Sequence, residues 1–489
     1  MCTPSQFIDE WINHEEWWFS SSNFFDAYIT LHYEHLLNMD LSNEAPITKI
    51  IIYDQLPRHI FRNQYSNHII LYFLQKALVV DIDRNNLPAT LWCFSLLPYR
   101  HTNDLQEITK VMKLAWKRLE TETEKVIIKR FIKATYQRCP MDDQSKLIKY
   151  YQSNYKSLAE IKEEFADILD KNAYYLPQNT SANANLNNDK YILSLSGGVD
   201  SILCSKLFED NYQSVVHINY CNRDTSDREE EFVKAFCAHI RKPLYVRRIE
   251  EINRPLCMMH NLRDIYESYT RNVRYSTYKT IAGKQNPKVI LGHNKDDCLE
   301  NIFTNIAHEN HYENLNGMSE YSSQDGIVFV RPLLNFSKDQ IRYIAYKKGY
   351  PFLPNSTPLW SQRGQIRSSI VPALETWDNR VVKGLFTLSE TMKDLHSILD
   401  VFVDIYIKNT SVKLENGVVK YTIIFDNIPK IKMFWKVFLT KLCKNTPSSK
   451  SIDNLIFKLN SNISTMKIVL KRNMEVNFNG LFCCIICTP

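Results

Sequence analysis

Along the first 175 residues, apolar and aromatic positions recur every three to four residues, as in FFDAYITLHYEHLL (24–37) and IILYFLQKALVV (69–80). A period near 3.6 predicts helices. Glycine is absent from this stretch, which suits helices joined by short polar turns, and an all-α domain is expected over 1–175. The run YYLPQNTSANANLNNDK (174–190) is rich in Pro, Asn, Ser and Thr and predicts a linker at 176–189. Beyond it the pattern changes to short apolar runs at 190–196, 214–220, 244–250, 288–294 and 327–333. Amphipathic segments separate the first four. One is Asp227–Ile240, with Phe232, Val233, Phe236, Cys237 and Ile240 on one face and Ser226 and Glu229 placed as a capping box. Strands alternating with helices predict an α/β doubly wound parallel sheet, and such sheets bind ligands beyond the carboxyl ends of their strands. Residues 338–400 read as helical, and 377–489 as a helical connector followed by a small basic α+β region.

Composition changes the picture in two places. The chain has 489 residues, 44% hydrophobic and 23% charged, close to globular averages, so disordered and fibrous classes are excluded. Only 11 residues are glycine, against roughly 34 at the ~7% average, so the pair Gly197-Gly198 stands out. The net charge of +6 is uneven. From Lys408 onward thirteen Lys or Arg face four acids, a local +9, which leaves −3 for the first 407 residues. That asymmetry suits a nucleic-acid-facing end, with an ordinary lysine-rich surface as the alternative.

No apolar run reaches the ~18–20 residues of a membrane span, and the N-terminus lacks a basic start followed by an apolar stretch. A cytoplasmic protein with no membrane association is expected, its twelve cysteines free thiols.

The sharpest local signal is Ser196-Gly197-Gly198-Val199-Asp200-Ser201, set between an apolar strand and a helix. Glycines let successive backbone N–H groups converge on an anion, and the helix N-terminus adds positive dipole. Ser196 and Ser201 offer hydroxyls to phosphate oxygens, and Asp200 is a candidate Mg²⁺ contact. Neither GxxxxGK[ST] nor GxGxxG occurs. SGGVDS resembles the pyrophosphate loop of the N-type ATP pyrophosphatases, a PP-loop, adenine nucleotide alpha hydrolase-like fold. The resemblance implies that ATP is bound by residues 196–201 and split between its α and β phosphates.

Further segments narrow the resemblance: His217-Ile218-Asn219, Arg271-Asn272-Val273-Arg274-Tyr275, Gly292-His293-Asn294-Lys295-Asp296-Asp297-Cys298-Leu299-Glu300, Arg331-Pro332-Leu333-Leu334 and Arg363-Gly364-Gln365-Ile366-Arg367. In order and spacing, residues 190–376 resemble tRNA(Ile)-lysidine synthases. The family implies a carbon–nitrogen ligase that adenylates the wobble cytidine of an isoleucine tRNA with a CAU anticodon. It then joins lysine to C2, with ATP and Mg²⁺ as cofactors. By that resemblance and their chemistry, Asp200, Arg271, His293, Asp297 and Glu300 are the catalytic candidates. His217 joins the ATP-binding loop, with a core histidine as its alternative. Asp200 and Asp297 are metal candidates, and Arg274, Arg363 and Arg367 candidate RNA contacts. The alternatives are helix-dipole complementarity for Asp297 and Glu300, and simple ion pairing for Arg363 and Arg367.

Departures from the family pattern stand at Asn301, at Ala307-His308-Glu309-Asn310 and at Tyr220-Cys221-Asn222; Leu315 and Gly317-Met318 recover it. Phe434, Trp435 and Phe438 suit RNA or a core. A tRNA thiolation enzyme is the rival enzymatic reading, although the only CxxC is Cys484/Cys487. A non-catalytic tRNA- or protein-binding module is the rival of another class. In the first 175 residues, DQLPRHIFR (54–62), Trp17-Trp18-Phe19 and LPYRH (97–101) resemble a tetratricopeptide-like bacterial family of unassigned function. Asp54 paired with Arg58 or Arg62 is expected to fix its helices, and a binding groove for a peptide, as of a protein partner, or for RNA stays open.

Overall fold

The computed structural model describes residues 2–18, 23–62, 67–122, 125–140, 146–151, 154–175, 186, 190–307, 317–355, 357, 359, 361–415, 418–424, 429–443, 446–461, 465–478 and 482–487. The linker expected at 176–189 therefore lies, except for Leu186, outside the described residues. The chain divides into two compact units, 1–293 with 320–355, and 294–319 with 356–489.

The first unit opens with helices from Pro4–Asn13 to Lys125–Arg138. Their starts are set by local chemistry. Thr3 and Gln6 exchange bonds in a capping box, and the Asp104 carboxylate accepts from the amides of Gln106 and Glu107. Asp54 is buried and accepts from Arg58 at 3.1 Å and His101 at 2.9 Å. Arg62, the other expected partner, instead reaches Asp26 at 3.3 Å, beside a His59–Asp26 bond of 2.7 Å.

The sheet of this unit has seven strands in the order β1-β4-β3-β2-β5-β7-β6. They are β1 (Leu147–Tyr150), β2 (Tyr191–Ser194), β3 (Tyr212–Asn219), β4 (Leu244–Arg248), β5 (Lys288–Ile290), β6 (Tyr321–Gln324) and β7 (Ile327–Val330). The five inner strands are parallel, as the alternating pattern predicts, and each edge strand is antiparallel. β1 lies in the stretch read as helical; its exposed Ile148 and half-buried ends leave no inward stripe to read.

Helices cover both faces. Val199–Leu207, Ser226–His239 and Lys338–Lys347 share one core with the sheet, around Ile202, Leu203, Phe232, Phe236, Ile341 and Ala345. On the other face, Arg263–Ala282 lays Tyr275 and Tyr278 against Val216, Val289 and Phe329. The capping box expected at Ser226 does not form. Thr225 is the capping residue, its hydroxyl bonds the Glu229 side chain, and Ser226 accepts from the Arg223 amide at 3.2 Å.

The helical region and the sheet domain share a core as well. Tyr269 and Val273 of Arg263–Ala282 belong to the same apolar cluster as Trp11, Trp116 and Tyr136. Buried polar bonds tie them: the Tyr136 hydroxyl donates to the Glu251 carbonyl at 2.9 Å and Tyr269 to the Glu251 carboxylate at 3.0 Å, which also pairs with Arg247.

The second unit contains the helix Val381–Lys408 and five antiparallel strands in the order β10-β11-β12-β9-β8. These are β8 (Thr410–Glu415), β9 (Val418–Ile424), β10 (Met466–Lys471), β11 (Met474–Phe478) and β12 (Phe482–Cys487). Phe434, Trp435 and Phe438 lie in its core, not on a surface open to RNA. Among the described residues no helix is long and apolar enough to cross a membrane.

Burial pushes the pKa values of His59, His101 and His217 below the ordinary 6.5. As pH falls below about 6.5, the unfolded chain takes up protons that the folded chain refuses, so folding stability drops through that window. Urea midpoints should decrease from pH 8 to pH 5; a flat profile would contradict these three assignments.

Candidate active site

Strand order reverses at β2. β3 and β4 extend to one side of it, β5 and β7 to the other, so the turns leaving β2 and β5 flank the switch point where parallel sheets bind ligands. The turn after β2 is residues 196–201. Gly197 takes φ +87°, and a Cβ there would sit 2.6 Å from Leu353 Cδ1. Its carbonyl accepts from the Leu353 amide at 2.9 Å, and Gly198 forms an isolated parallel bridge with the same residue. The Ser201 hydroxyl donates to the Gly198 carbonyl at 2.9 Å and accepts from the Ser196 amide at 3.2 Å, closing the loop from within. Ser196 is exposed. Helix Val199–Leu207 has Gly198 as its capping residue and no side-chain cap, which leaves its leading N–H groups to an anion.

The turn after β5 presses on this loop. A Cβ on Gly292 would lie 2.9 Å from both the Asp200 carbonyl carbon and the Ser201 amide nitrogen. Next to it, His293 Nδ1 accepts from Arg331 Nε at 3.0 Å. An arginine Nε–H only donates, so the His293 proton sits on Nε2. Arg331 also donates to Ser322 at 2.9 Å. Asp200 is half-buried and its carboxylate pairs with Lys338 Nζ. Lys338 escapes the motif search; its one sequence signal is a cation in a helix's first turn, where the dipole disfavours it. Ser337 and Gln340 hold that helix start with a capping box.

His217 is buried in β3, and its Nδ1 donates to the Leu195 carbonyl at 2.9 Å, the arrangement of a core histidine that braces the strand leading into the loop. On Arg263–Ala282, Arg271 is exposed, and the Arg274 guanidinium stands 5.7 Å from the Tyr275 ring centroid. The two arginines are therefore not presented alike, although three positions apart.

Within the second unit, helix Lys295–Ala307 brings Asp297 and Glu300 together, both buried. Asn294 and Asp297 cap the helix reciprocally: the Asn294 amide donates to Asp297 Oδ2 and the Asp297 amide to Asn294 Oδ1, each at 3.1 Å. Two guanidinium groups complete the cluster. Arg363 donates to Asp297 at 2.8 Å and Glu300 at 2.6 Å; Arg367 donates to Asp297 at 3.0 Å and also pairs with Glu300. The acids thus hold cations, and the arginines considered as RNA contacts are taken up by carboxylates. Gly317, at φ +67°, passes so close to Cys298 that a Cβ would fall 2.5 Å from its Sγ. The departures at 308–310, and Leu315, lie outside the described residues.

Among the described residues no group of three or more His, Cys, Asp or Glu could hold a metal. One carboxylate plus phosphate oxygens is the usual binding mode of Mg²⁺. Asp200 at the phosphate loop fits Mg²⁺ that arrives with ATP, whereas Asp297 is already balanced by arginine. Cys484 and Cys487 sit three apart on β12, hence on opposite faces. Burial raises the thiols of Cys204, Cys237, Cys257 and Cys298, and partial desolvation beside Glu250 raises Cys221 to about 11, so none is primed as a thiolate.

Comparison with known proteins fits this geometry. Residues 171–374 match the family described as PP-loop domain, and residues 7–175 one described as a bacterial protein of unknown function. Residues 171–374 thus belong to the PP-loop ATP-using domains. Curated relatives of the chain are tRNA(Ile)-lysidine synthases. That of Mycoplasma mycoides is 28% identical over 307 residues (60% of this chain, 73% of the relative). That of Chlamydia muridarum is 30% identical over 43% of this chain and 66% of the relative. For Malacoplasma penetrans the figures are 25%, 60% and 96%. The chain is a ligase-type enzyme built on a PP-loop domain and similar to tRNA(Ile)-lysidine synthases.

Gly292→Ala should drive a methyl group into backbone that cannot yield, at a cost of about 1–3 kcal/mol, and weaken ATP binding at least about tenfold with far-UV circular dichroism retained. Unchanged ATP affinity in equilibrium dialysis would show that this close approach does not shape the loop.

Proposed function

We propose that this protein uses ATP to adenylate the wobble cytidine of an isoleucine tRNA with a CAU anticodon and then joins lysine to it, forming lysidine. The observation that carries the reading is the uncapped glycine loop at the sheet's switch point with Asp200 and Lys338 beside it, on a domain whose curated relatives are lysidine synthases.

In the first step the cytidine O2 attacks the α-phosphorus of Mg-ATP and pyrophosphate leaves. The amides of 197–201 and the helix dipole receive the departing phosphates. Lys338 turns from Asp200 to the phosphate oxygens, and Asp200 would hold a Mg²⁺ that comes with the nucleotide, which would offset charge on the phosphates. His293, with its proton on Nε2, suits an anionic oxygen, as does the exposed Arg271. In the second step the lysine ε-amine attacks C2, the C2–O2 bond breaks and AMP leaves. Asp297 and Glu300 are suited to hold the incoming ammonium and accept its proton, because they already hold cations. Arg363, with 54% of its side chain exposed against 24% for Arg367, is the guanidinium that yields. The surplus of thirteen bases over four acids from Lys408 onward supports contact with the tRNA backbone.

The test is pyrophosphate release by the full chain. It should require both lysine and a CAU-anticodon isoleucine tRNA, vanish in Asp200→Ala, and fall roughly 10²-fold in Lys338→Ala, the loss typical of one transition-state contact. Transfer of labelled sulfur in place of lysine would replace this reading with thiolation. Binding of tRNA with no pyrophosphate released would reduce the protein to a binding module.

In Arg363→Ala, the KM for lysine should fall as a competing cation is removed, while the KM for ATP stays put. A rise in the lysine KM would instead make Arg363 part of the lysine site.

A further inference from the structure

The helical region holds a cavity of about 280 Å³ between the helices Ala89–His101 and Lys125–Arg138 and the segment around Trp18. Its walls include Trp18, Phe94, Leu97 and Phe131, and two strong bases, the buried Arg100 and the exposed Arg130. Arg100 is only 4% exposed, and its Nε has no hydrogen-bond partner. Among the described residues no carboxylate lies within ion-pair distance of it. Asp54 is committed to Arg58 and His101. His101 donates through Nδ1 to Asp54, so its Nε2 is the acceptor that faces Arg100 Nη2 at 3.4 Å. Otherwise the guanidinium has the Phe131 ring, 5.7 Å away. A buried guanidinium lacking a counter-ion is costly. Burial lowers its pKa only to about 10, so it remains charged at neutral pH.

We propose that this cavity is a binding site for a small monocarboxylate with a single-ring apolar body, its carboxylate on Arg100 and its ring among Trp18, Phe94 and Phe131. The planar guanidinium fork matches a carboxylate, and the volume sits at the small end of ligand cavities. Glu15 and Glu16, both exposed, line the same cavity. With Arg130 as the exposed base on the same lining, these side chains leave a net charge of −1 there, which disfavours a second negative charge, so dicarboxylates, phosphates and nucleotides are selected against.

Calorimetric titration of the full chain with 3-phenylpropionate, its neutral amide and phenylsuccinate tests the site. The acid should bind, and the amide and the diacid should each bind at least about tenfold more weakly. Arg100→Met should abolish binding of the acid. Should that variant fail to fold, Ala134→Phe, which fills the cavity from a partly exposed lining position, should abolish binding with the thermal melt preserved. The inference is overturned if acid and amide bind alike, if the acid gives no heat at millimolar concentration, or if Ala134→Phe binds it as the parent does. None of these outcomes depends on tRNA or ATP turnover.

Discussion

Backbone from two turns meets where Gly292 approaches Asp200 and Ser201, and the space between them has no room for a β-carbon. That contact fixes how the turn after β5 lies on the helix start after β2. Gly197 and Leu353 fix the other side of the loop. A glycine-poor chain has thus placed two of its eleven glycines at this loop, where neighbouring groups leave no room for a β-carbon. Preorganising amides in this way means that little reorganisation is needed when phosphates arrive.

Charge is handled differently in the two units. In the first, Asp200 and Lys338 form a single pair at the phosphate loop, an arrangement that a polyanion and its cation can split between them. In the second, two buried carboxylates and two guanidinium groups neutralise one another. Breaking one member of such a set leaves an uncompensated charge, so a ligand that displaces one arginine must itself be a cation.

The N-terminal helices are not an appendage to the sheet. Glu251 ends a segment of the nucleotide-binding domain, yet its carbonyl and carboxylate accept from Tyr136 and Tyr269 inside a shared apolar cluster. Separating the two parts would put the aromatic surface around those groups into water, at a cost of roughly 25 cal/mol per Å² of apolar area exposed.

Local chemistry was enough to reveal the strand–helix alternation, the loop at 196–201, the acidic helix start at Asp297 and the basic surplus after Lys408, since each is written in a few neighbouring residues. Tertiary structure alone decided the rest. Lys338 meets Asp200 from 138 residues away; Arg62 chooses Asp26 over Asp54; Phe434 and Trp435 turn inward; and Arg100 is buried at a cavity without a counter-ion. Periodicity and spacing report which groups share a face over one or two turns. Which distant charge or ring completes a partner's coordination depends on how the elements pack, and a pattern read along the chain holds no record of that.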